Sequence, residues 1–249
     1  MCSSVGQGGA LRVGTAGWSI PAVDAAAFPA EGTSLERYAA RLTCAEINSS
    51  FHRPHRRSTY ERWAASVPEY FSFSVKLPKT ITHQRKLFDS GDLLGTFLDE
   101  AGGLGAKLGV ILVQLPPSLA FDYTLARSFF PLLGDMAAMA CEPRHPSWFE
   151  DEANALLAEM KVARVAADPA RVEAAARPGG WNGLAYYRLH GSPTIYRSSY
   201  EPERLDAYAA AMAPGGGAAR ETWCIFDNTA SSAAVGNAVD LMQRVNRQS

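Results

Sequence analysis

The feature that most constrains this chain is the alternation of eight short apolar runs with segments whose apolar residues recur at helical spacing. Some runs are apolar throughout, as in Val110-Ile111-Leu112-Val113, and lack the alternation of a strand that has one wet face. A strand covered on both faces has this pattern, which favours a parallel sheet. The predicted strands are Leu11–Gly17, Cys44–Asn48, Phe71–Lys76, Gly109–Gln114, Met139–Arg144, Val162–Asp168, Leu184–His190 and Thr222–Asn228.

The segments between these strands are typical of helices, and some carry capping signals. Thr33 with Glu36 has the spacing at which a hydroxyl and a carboxylate cap a helix start together. Eight strands, most followed by a helix, in a chain of 249 residues predict an α/β fold of the TIM type. We expect a single-domain (β/α)8 barrel over residues 11–249, after a disordered N-terminal tail of residues 1–10.

Several other classes of protein fit the sequence poorly. Gly14-Thr15-Ala16-Gly17 lacks the glycine spacing of a doubly wound dinucleotide-binding sheet. The longest run without a charged residue, Leu108–Phe121, contains Pro116 and Pro117 and is too short to span a membrane. The N-terminus has no signal-peptide pattern and the four cysteines form no CxxC pair, so we expect a cytoplasmic protein without a disulfide framework.

Polar residues concentrate at the carboxyl ends of the predicted strands. In a parallel barrel these ends converge on one mouth, where the loops after the strands build the active site. In the third strand, Ser72, Ser74 and Lys76 are expected to point inward, with Lys76 uppermost. The candidate catalytic residues of this ring are Glu46, Lys76, Glu142 and Asp168, and its candidate ligand-binding residues are Trp18, Asn48, Arg53, His83, Gln114, Arg144, His145, Arg188, His190 and Asn228.

The chemistry of this ring has more than one interpretation. Its carboxylates, buried beside Lys76, Arg144 and Arg188, either act as an acid/base pair with separated pKa values or form structural ion pairs. Lys76 is a Schiff-base nucleophile if it is desolvated, and otherwise an anion partner. The cofactor is unknown; a divalent metal is possible, but no HxH or HExxH spacing supports one, so we assign no metal ligand. The residues that would suit a metal are Glu142, His145, Asp168 and His190.

A local excess of positive charge is hidden by the net charge of −1. The segment 52–86 has eight Lys or Arg against Glu61 and Glu69, and it includes the loops after the second and third strands. Arg56 and Arg57 precede a predicted helix start, where the helix dipole disfavours cations, so we expect them to serve an anion instead. A small phosphate or carboxylate, a nucleic-acid backbone and plain solvent are the alternative partners of this segment.

Seven sequence motifs occur in order over nearly the whole chain. They are Val13-Gly-Thr-Ala-Gly-Trp-Ser19, Glu46-Ile-Asn-Ser-Ser-Phe51, Val75-Lys-Leu-Pro78, Ile81-Thr-His83, Gln114-Leu-Pro-Pro-Ser118, Glu142-x-Arg-His-Pro-Ser-Trp148 and Tyr187-Arg-Leu-His-Gly191. Together they resemble the YecE-like family, also called domain of unknown function 72. The resemblance implies a TIM-barrel fold and brings no settled activity. Likeness of that fold to the metal-dependent endonucleases and sugar isomerases of the xylose-isomerase-like barrels implies, by analogy, phosphodiester or sugar chemistry.

The leading hypothesis is an uncharacterised YecE-like enzyme that binds an anionic, phosphate-bearing ligand at the C-terminal mouth of the barrel, with hydrolase or isomerase chemistry. In it the cations of the ring hold the anion, and its carboxylates supply acid/base or metal-ligating oxygens. The alternative is a non-catalytic nucleic-acid-binding protein that uses the basic segment 52–86, whose binding would weaken steeply with salt. No membrane partner is expected.

Overall fold

The structure of the protein, a computed structural model, describes residues 10–213 and 219–248. Apart from Ala10, the predicted tail of residues 1–10 lies outside the described residues. The strands are β1 Ala10–Ala16, β2 Cys44–Ile47, β3 Ser72–Lys76, β4 Leu108–Gln114, β5 Ala138–Glu142, β6 Val162–Arg164, β7 Ala166–Asp168, β8 Gly179–Gly180, β9 Leu184–Leu189 and β10 Glu221–Phe226. The helices are α1 Ser34–Ala39, α2 Ser49–His52, α3 Arg57–Ala65, α4 Gly91–Ala101, α5 Tyr123–Phe129, α6 Asp151–Glu159, α7 Pro202–Met212 and α8 Ala233–Gln248.

Parallel pairing joins the strands in the order β7-β9-β10-β1-β2-β3-β4-β5-β6, which confirms the predicted TIM-type barrel. The barrel closes through the sixth predicted strand, Val162–Asp168, which is divided at Val165 into β6 and β7. β6 pairs with β5, whereas β7 pairs with β9. Because the N–H of Val165 still donates to the carbonyl of Cys141 in β5 (2.9 Å), the chain leaves β5 only after this residue. The first half of this predicted strand thus pairs with β5, and its second half pairs with β9.

The short strand β8 covers the edge of β6 that β9 leaves open. It pairs antiparallel with β6, and Gly180 lies opposite Ala163. The φ of Gly180 is +63°, and a Cβ there would lie 2.5 Å from the carbonyl oxygen of Val162. Only glycine therefore fits this turn. The segment from 169 to 183 contains this bridge and one helical turn, Glu173–Ala176, instead of an α-helix.

Two apolar layers hold the mouth in place. The outer layer lies between the sheet and the helices and includes Phe73, Ile111 and Val113. Trp223 is fully buried in the inner layer, where a Cβ on Gly109 would lie 2.6 Å from its ring. This apolar plug fills the lower barrel, so the polar strand ends form the layer above it. The buried members of the inner layer are Cys44, Val110, Leu112, Ala140, Ala163, Val165, Leu184, Tyr186, Trp223 and Ile225.

Candidate functional site

Arg188 is the centre of the polar layer above the plug. Its side chain extends from β9 into the barrel and is 0% exposed. Nε and Nη2 donate to the two carboxylate oxygens of Glu46 at 3.0 and 2.7 Å. Nη1 donates to Glu142 Oε2 at 2.5 Å, and Nη2 also donates to Asp227 Oδ2 at 2.9 Å. Three carboxylates therefore surround one guanidinium, and Arg188 has no surface left on which to hold a ligand.

Glu46 is as deeply enclosed as Arg188. Its Oε2 accepts a hydrogen bond from the Tyr186 hydroxyl at 3.0 Å, in addition to the one from Arg188. The Tyr186 hydroxyl is in turn 2.7 Å from Ser74 Oγ, which confirms that Ser74 points inward from β3. Because Glu46 is fully buried and its oxygens are occupied, the structure places it beneath the mouth, in contact with protein groups alone.

Glu142 links this buried layer to the opening of the mouth. Gln114 Nε2 donates to its Oε2 at 2.8 Å, while Oε1 lies 3.3 Å from Arg144 Nη2 and 3.1 Å from His190 Nε2. Burial alone would raise the pKa of Glu142, but the charges of Arg188, His190 and Arg144 hold it well below the ordinary value. Glu142 is therefore an ionised carboxylate with a cation on each side.

His190 lies between two carboxylates. Its Nε2 faces Glu142 Oε1 and its Nδ1 faces Asp227 Oδ2, both at 3.1 Å. A protonated ring donates both hydrogen bonds, whereas a neutral ring would turn one lone pair toward an oxygen. Burial lowers the pKa of His190, but Glu142 and Asp227 outweigh it and raise that pKa above the ordinary value. We call the six residues joined by these bonds the Arg188 network: Glu46, Glu142, Tyr186, Arg188, His190 and Asp227.

Lys76, at the end of β3, has a different environment. It is 8% exposed, and its Nζ lies 4.1 Å from the centre of the Phe51 ring. Within residues 10–213 and 219–248 its ammonium forms no hydrogen bond and no ion pair. Burial and the charge of Arg188 lower the pKa of Lys76 to about 8, although Glu46, Glu142 and Asp227 act in the opposite direction.

His83 completes the surroundings of this lysine. Its ring packs edge-on against Phe51, with ring centres 5.0 Å apart, and its Nδ1 lies 2.9 Å from Thr82 Oγ1. Burial, Lys76 and Arg144 lower the pKa of His83, so its ring is neutral at pH 7. We call Phe51, Lys76 and His83 the Lys76 pocket.

Arg144 lies at the opening of a small cleft beside the Arg188 network. Its side chain is 18% exposed, and within residues 10–213 and 219–248 the one carboxylate that it contacts is Glu142. The cleft has a volume of about 30 Å³, enough for one or two water molecules. It is walled by both apolar and charged side chains, among them Glu142, Arg144, Phe149, Arg171, His190 and Ile195.

Asp168 and His145 do not join this arrangement. Asp168 is the outward residue of β7, where its Oδ2 accepts from the Tyr208 hydroxyl (2.8 Å) and from Arg204 (3.3 Å) on α7. His145 Nδ1 accepts from the N–H of Ser147 at 3.2 Å and caps the helical turn Pro146–Phe149. The four residues that would suit a metal are therefore not brought together. The described ranges 10–213 and 219–248 contain no cluster of three or more His, Cys, Asp or Glu arranged to hold a metal ion.

The remaining predicted ligand-binding residues differ in their burial and in their contacts. Trp18 packs edge-on against Trp63, with ring centres 5.1 Å apart, and keeps part of its surface exposed. Arg53 is exposed. Asn48 Oδ1 is buried and has no hydrogen-bond partner among the residues that the structure describes. Asn228 is fully buried, and its Nδ2 donates to the carbonyl of Ser198 and to Asn237 Oδ1, both at 2.9 Å.

Three residues of the site were not among the sequence candidates. Tyr186 and Arg188 in β9 and His190 just after it are each two residues apart, so they point to the same side. Strand alternation alone could therefore have identified Tyr186 as an inward residue. Asp227 lies at the end of the predicted strand Thr222–Asn228, and the structure makes it a partner of both Arg188 and His190. Phe51 ends the motif Glu46-Ile-Asn-Ser-Ser-Phe51, but its role could not be read from that motif, because only the turn of α2 brings its ring beneath Lys76.

The basic segment 52–86 divides into paired and unpaired cations. Arg57 contacts Glu61 at 3.2 Å and Asp99 at 3.1 Å, and Arg85 lies 4.0 Å from Asp89. The segment's other cations form no ion pair among the residues that the structure describes; besides Lys76 they are Arg53, Arg56, Arg62, Lys79 and Lys86.

Fold and site together define a class of protein: a (β/α)8 barrel whose strand ends bury a network of carboxylates and cations. The family described as protein of unknown function DUF72 matches residues 12–249, and the chain belongs to this family. The family expected from the sequence motifs is thereby confirmed. Every helix in residues 10–213 and 219–248 is too short or too polar to cross a membrane.

Relatives and solved structures agree with this assignment. The UPF0759 protein YecE of Escherichia coli K12 is 31% identical over 149 residues, which cover 57% of this chain and 55% of that protein. The chain thus spans about half the length of the curated relatives it matches. A DUF72 family protein of Enterococcus faecalis V583 is 19% identical with a TM-score of 0.81 and coverage of 95% of both chains. A DUF72 family protein of Thermotoga maritima MSB8 is 21% identical, with a TM-score of 0.76 and coverage of 95% and 99%.

Proposed function

We propose that this protein is an enzyme that binds a small anionic, phosphate-bearing ligand at the mouth of the barrel, with hydrolase or isomerase chemistry. The observation that carries the proposal is the Lys76 ammonium, which is almost fully buried and has no anionic partner in the described residues. Burying a charge without a partner costs free energy, so a site that retains one is expected to serve a ligand.

The charges around Lys76 support an anion in particular. All three carboxylates of the Arg188 network already contact Arg188, and two of them also contact His190. Within the described ranges, Arg144 contacts only one carboxylate oxygen, that of Glu142 at 3.3 Å; it also hydrogen-bonds the Tyr196 side chain and keeps 18% of its own side chain exposed. Lys76 and Arg144 are thus the cations at the mouth whose charge the protein neutralises least.

The proposed chemistry uses His190 and Glu142 to place positive charge beside the ligand, and His83 to move protons. A protonated His190 would supply positive charge beside the anion, and Glu142 would hold the ring in position through Nε2. His83 is the neutral imidazole of the mouth and is the better general base, because both nitrogens of His190 are occupied by carboxylates.

Isothermal titration calorimetry with inorganic phosphate tests the proposal. We expect Lys76→Met and Arg144→Met each to weaken phosphate binding by about tenfold or more, the loss expected for one charged contact. Lys79→Met, at an exposed lysine three residues further along, is the matched control and should leave the affinity unchanged. If wild-type protein binds no phosphate, or if Lys79→Met weakens binding as much as Lys76→Met does, the proposed site is wrong.

Nucleic-acid binding is the second candidate, and the unpaired cations of segment 52–86 favour it. Contacts to phosphates make affinity fall steeply with salt, because each contact releases counterions. We expect Arg56→Ala to flatten the salt dependence of binding to duplex DNA, measured by fluorescence anisotropy. Arg57→Ala is the matched control, since Arg57 is already paired with Glu61 and Asp99. Absence of DNA binding at low salt would eliminate this candidate.

A further inference from the structure

Lys76 is the mouth cation with the most unusual surroundings. Its Nζ lies above the face of Phe51 at 4.1 Å, and only 8% of the residue is exposed. Arg188 is close enough to repel its charge, and the nearby carboxylates do not pair with it. The face of the Phe51 ring attracts the ammonium, but burial and the neighbouring guanidinium of Arg188 both oppose its charge.

Burial and the neighbouring Arg188 therefore increase the fraction of Lys76 that is a neutral amine, while the ammonium stays the major form at pH 7. A lysine becomes a nucleophile when it is desolvated or placed beside another cation, and Lys76 meets both conditions. With a pKa of about 8, roughly one amine in ten is neutral at pH 7, whereas an ordinary lysine has fewer than about one in a thousand.

We infer that Lys76 forms an imine with a small carbonyl compound that also carries a phosphate group. This inference rests on the proposed anion site, because Arg144 would hold the phosphate while Lys76 attacks the carbonyl carbon. The C–N bond forms as the C=O π bond breaks, and the oxygen takes up a proton to give a carbinolamine. The C–O bond then breaks, and the hydroxyl leaves as water after taking a second proton. Starting from the ammonium, the products are an iminium and one water, with no oxidant or reductant.

The proton transfer is assigned to His83, because its ring lies near enough to Lys76 for the two charges to interact. Its ring and the Lys76 ammonium contact the same Phe51 ring, at 5.0 and 4.1 Å. Because burial and the nearby cations keep this imidazole neutral at pH 7, it accepts the proton that the ammonium loses and returns it to the departing hydroxyl. An imine makes the neighbouring C–H acidic, so this chemistry favours isomerisation over hydrolysis.

Trapping with pyridoxal 5′-phosphate, an aldehyde that carries a phosphate, tests the inference. The imine is reduced with sodium borohydride, and the modified lysine is located by peptide mass mapping. We expect Lys76 to be labelled at least about tenfold faster than Lys79 at pH 7, because the neutral amine reacts. The labelling rate should rise with pH to a half-point near 8, the pKa of Lys76.

Lys76→Arg separates this inference from the proposed function. The variant keeps a cation and cannot form an imine, so labelling at this position is lost while phosphate affinity stays within about threefold. Lys79→Arg should leave both measurements unchanged. Phosphate binding together with labelling spread over the exposed lysines would overturn the imine and leave the anion site standing. If phosphate does not bind, the proposed anion site fails, and reductive trapping with phosphate-free glyceraldehyde then decides whether Lys76 reacts.

Discussion

The Arg188 network and the Lys76 pocket are neighbours in the same barrel mouth and are built from similar residue types. In the network, one guanidinium makes four hydrogen bonds to three carboxylates, and the imidazole of His190 contacts two of them. In the pocket, the ammonium of Lys76 contacts an aromatic ring and no carboxylate of the part of the chain that the structure describes. A buried charge that the fold neutralises belongs to the scaffold, whereas a buried charge left unpaired is free for a ligand.

The largest expected effect comes from breaking the network. Arg188→Met would leave the carboxylates of Glu46, Glu142 and Asp227 without their common partner. Removing one partner of a buried ion pair typically costs about 3–5 kcal/mol, so we expect at least that loss in the free energy of unfolding. Urea denaturation monitored by circular dichroism measures it. A loss below about 1 kcal/mol would show that the network does not support the barrel.

A smaller effect is expected where the network meets β3. Tyr186→Phe removes a hydroxyl that donates to Glu46 at 3.0 Å and lies 2.7 Å from Ser74. Leaving a buried acceptor unsatisfied costs about 1–3 kcal/mol, and we expect a loss of that size in the same urea experiment. The double variant with Ser74→Ala provides the control: if both act through one hydrogen-bond chain, its loss is smaller than the sum of the single losses.

The free energy of unfolding should depend on pH in a way that identifies Lys76. Its folded pKa of about 8 lies below the ordinary 10.5, so between these values the unfolded state binds more protons and the free energy of unfolding rises with pH. Lys76→Met lacks the titrating group. In this pH range the free energy of unfolding of wild-type protein, compared with that of the variant, should increase with pH by up to about 1.4 kcal/mol per pH unit. Urea titrations at several pH values compare the two proteins. Parallel stability curves would contradict a strongly desolvated amine.

The smallest effect is expected outside the mouth. The Asp168 carboxylate contacts Tyr208 and Arg204 on the outer side of β7. Asp168→Asn should therefore leave phosphate affinity within about twofold of wild type by calorimetry. A tenfold loss of affinity would mean that Asp168 acts on the ligand site after all.

Strand positions and their inward-facing residues could be read from the sequence because both follow from local periodicity. The predicted run 184–190 contains β9, in which Arg188 points inward, and the predicted strand 71–76 contains β3, in which Ser74 does. The split at Val165 could not be read in this way, since it depends on which neighbour each half of the strand meets. That split also fixes Asp168, two residues after Ala166, on the outer face.

The sequence by itself determined the barrel, its family and the polar character of the mouth, because hydrophobic period and strand order are properties of the chain. It did not determine which mouth charges neutralise one another. Arg188, Arg144 and Lys76 are all cations at strand ends. Among the described residues, Arg188 contacts three carboxylates, Arg144 contacts one and Lys76 contacts none. That division depends on side chains from different strands meeting within hydrogen-bond distance, which only the closure of the barrel decides.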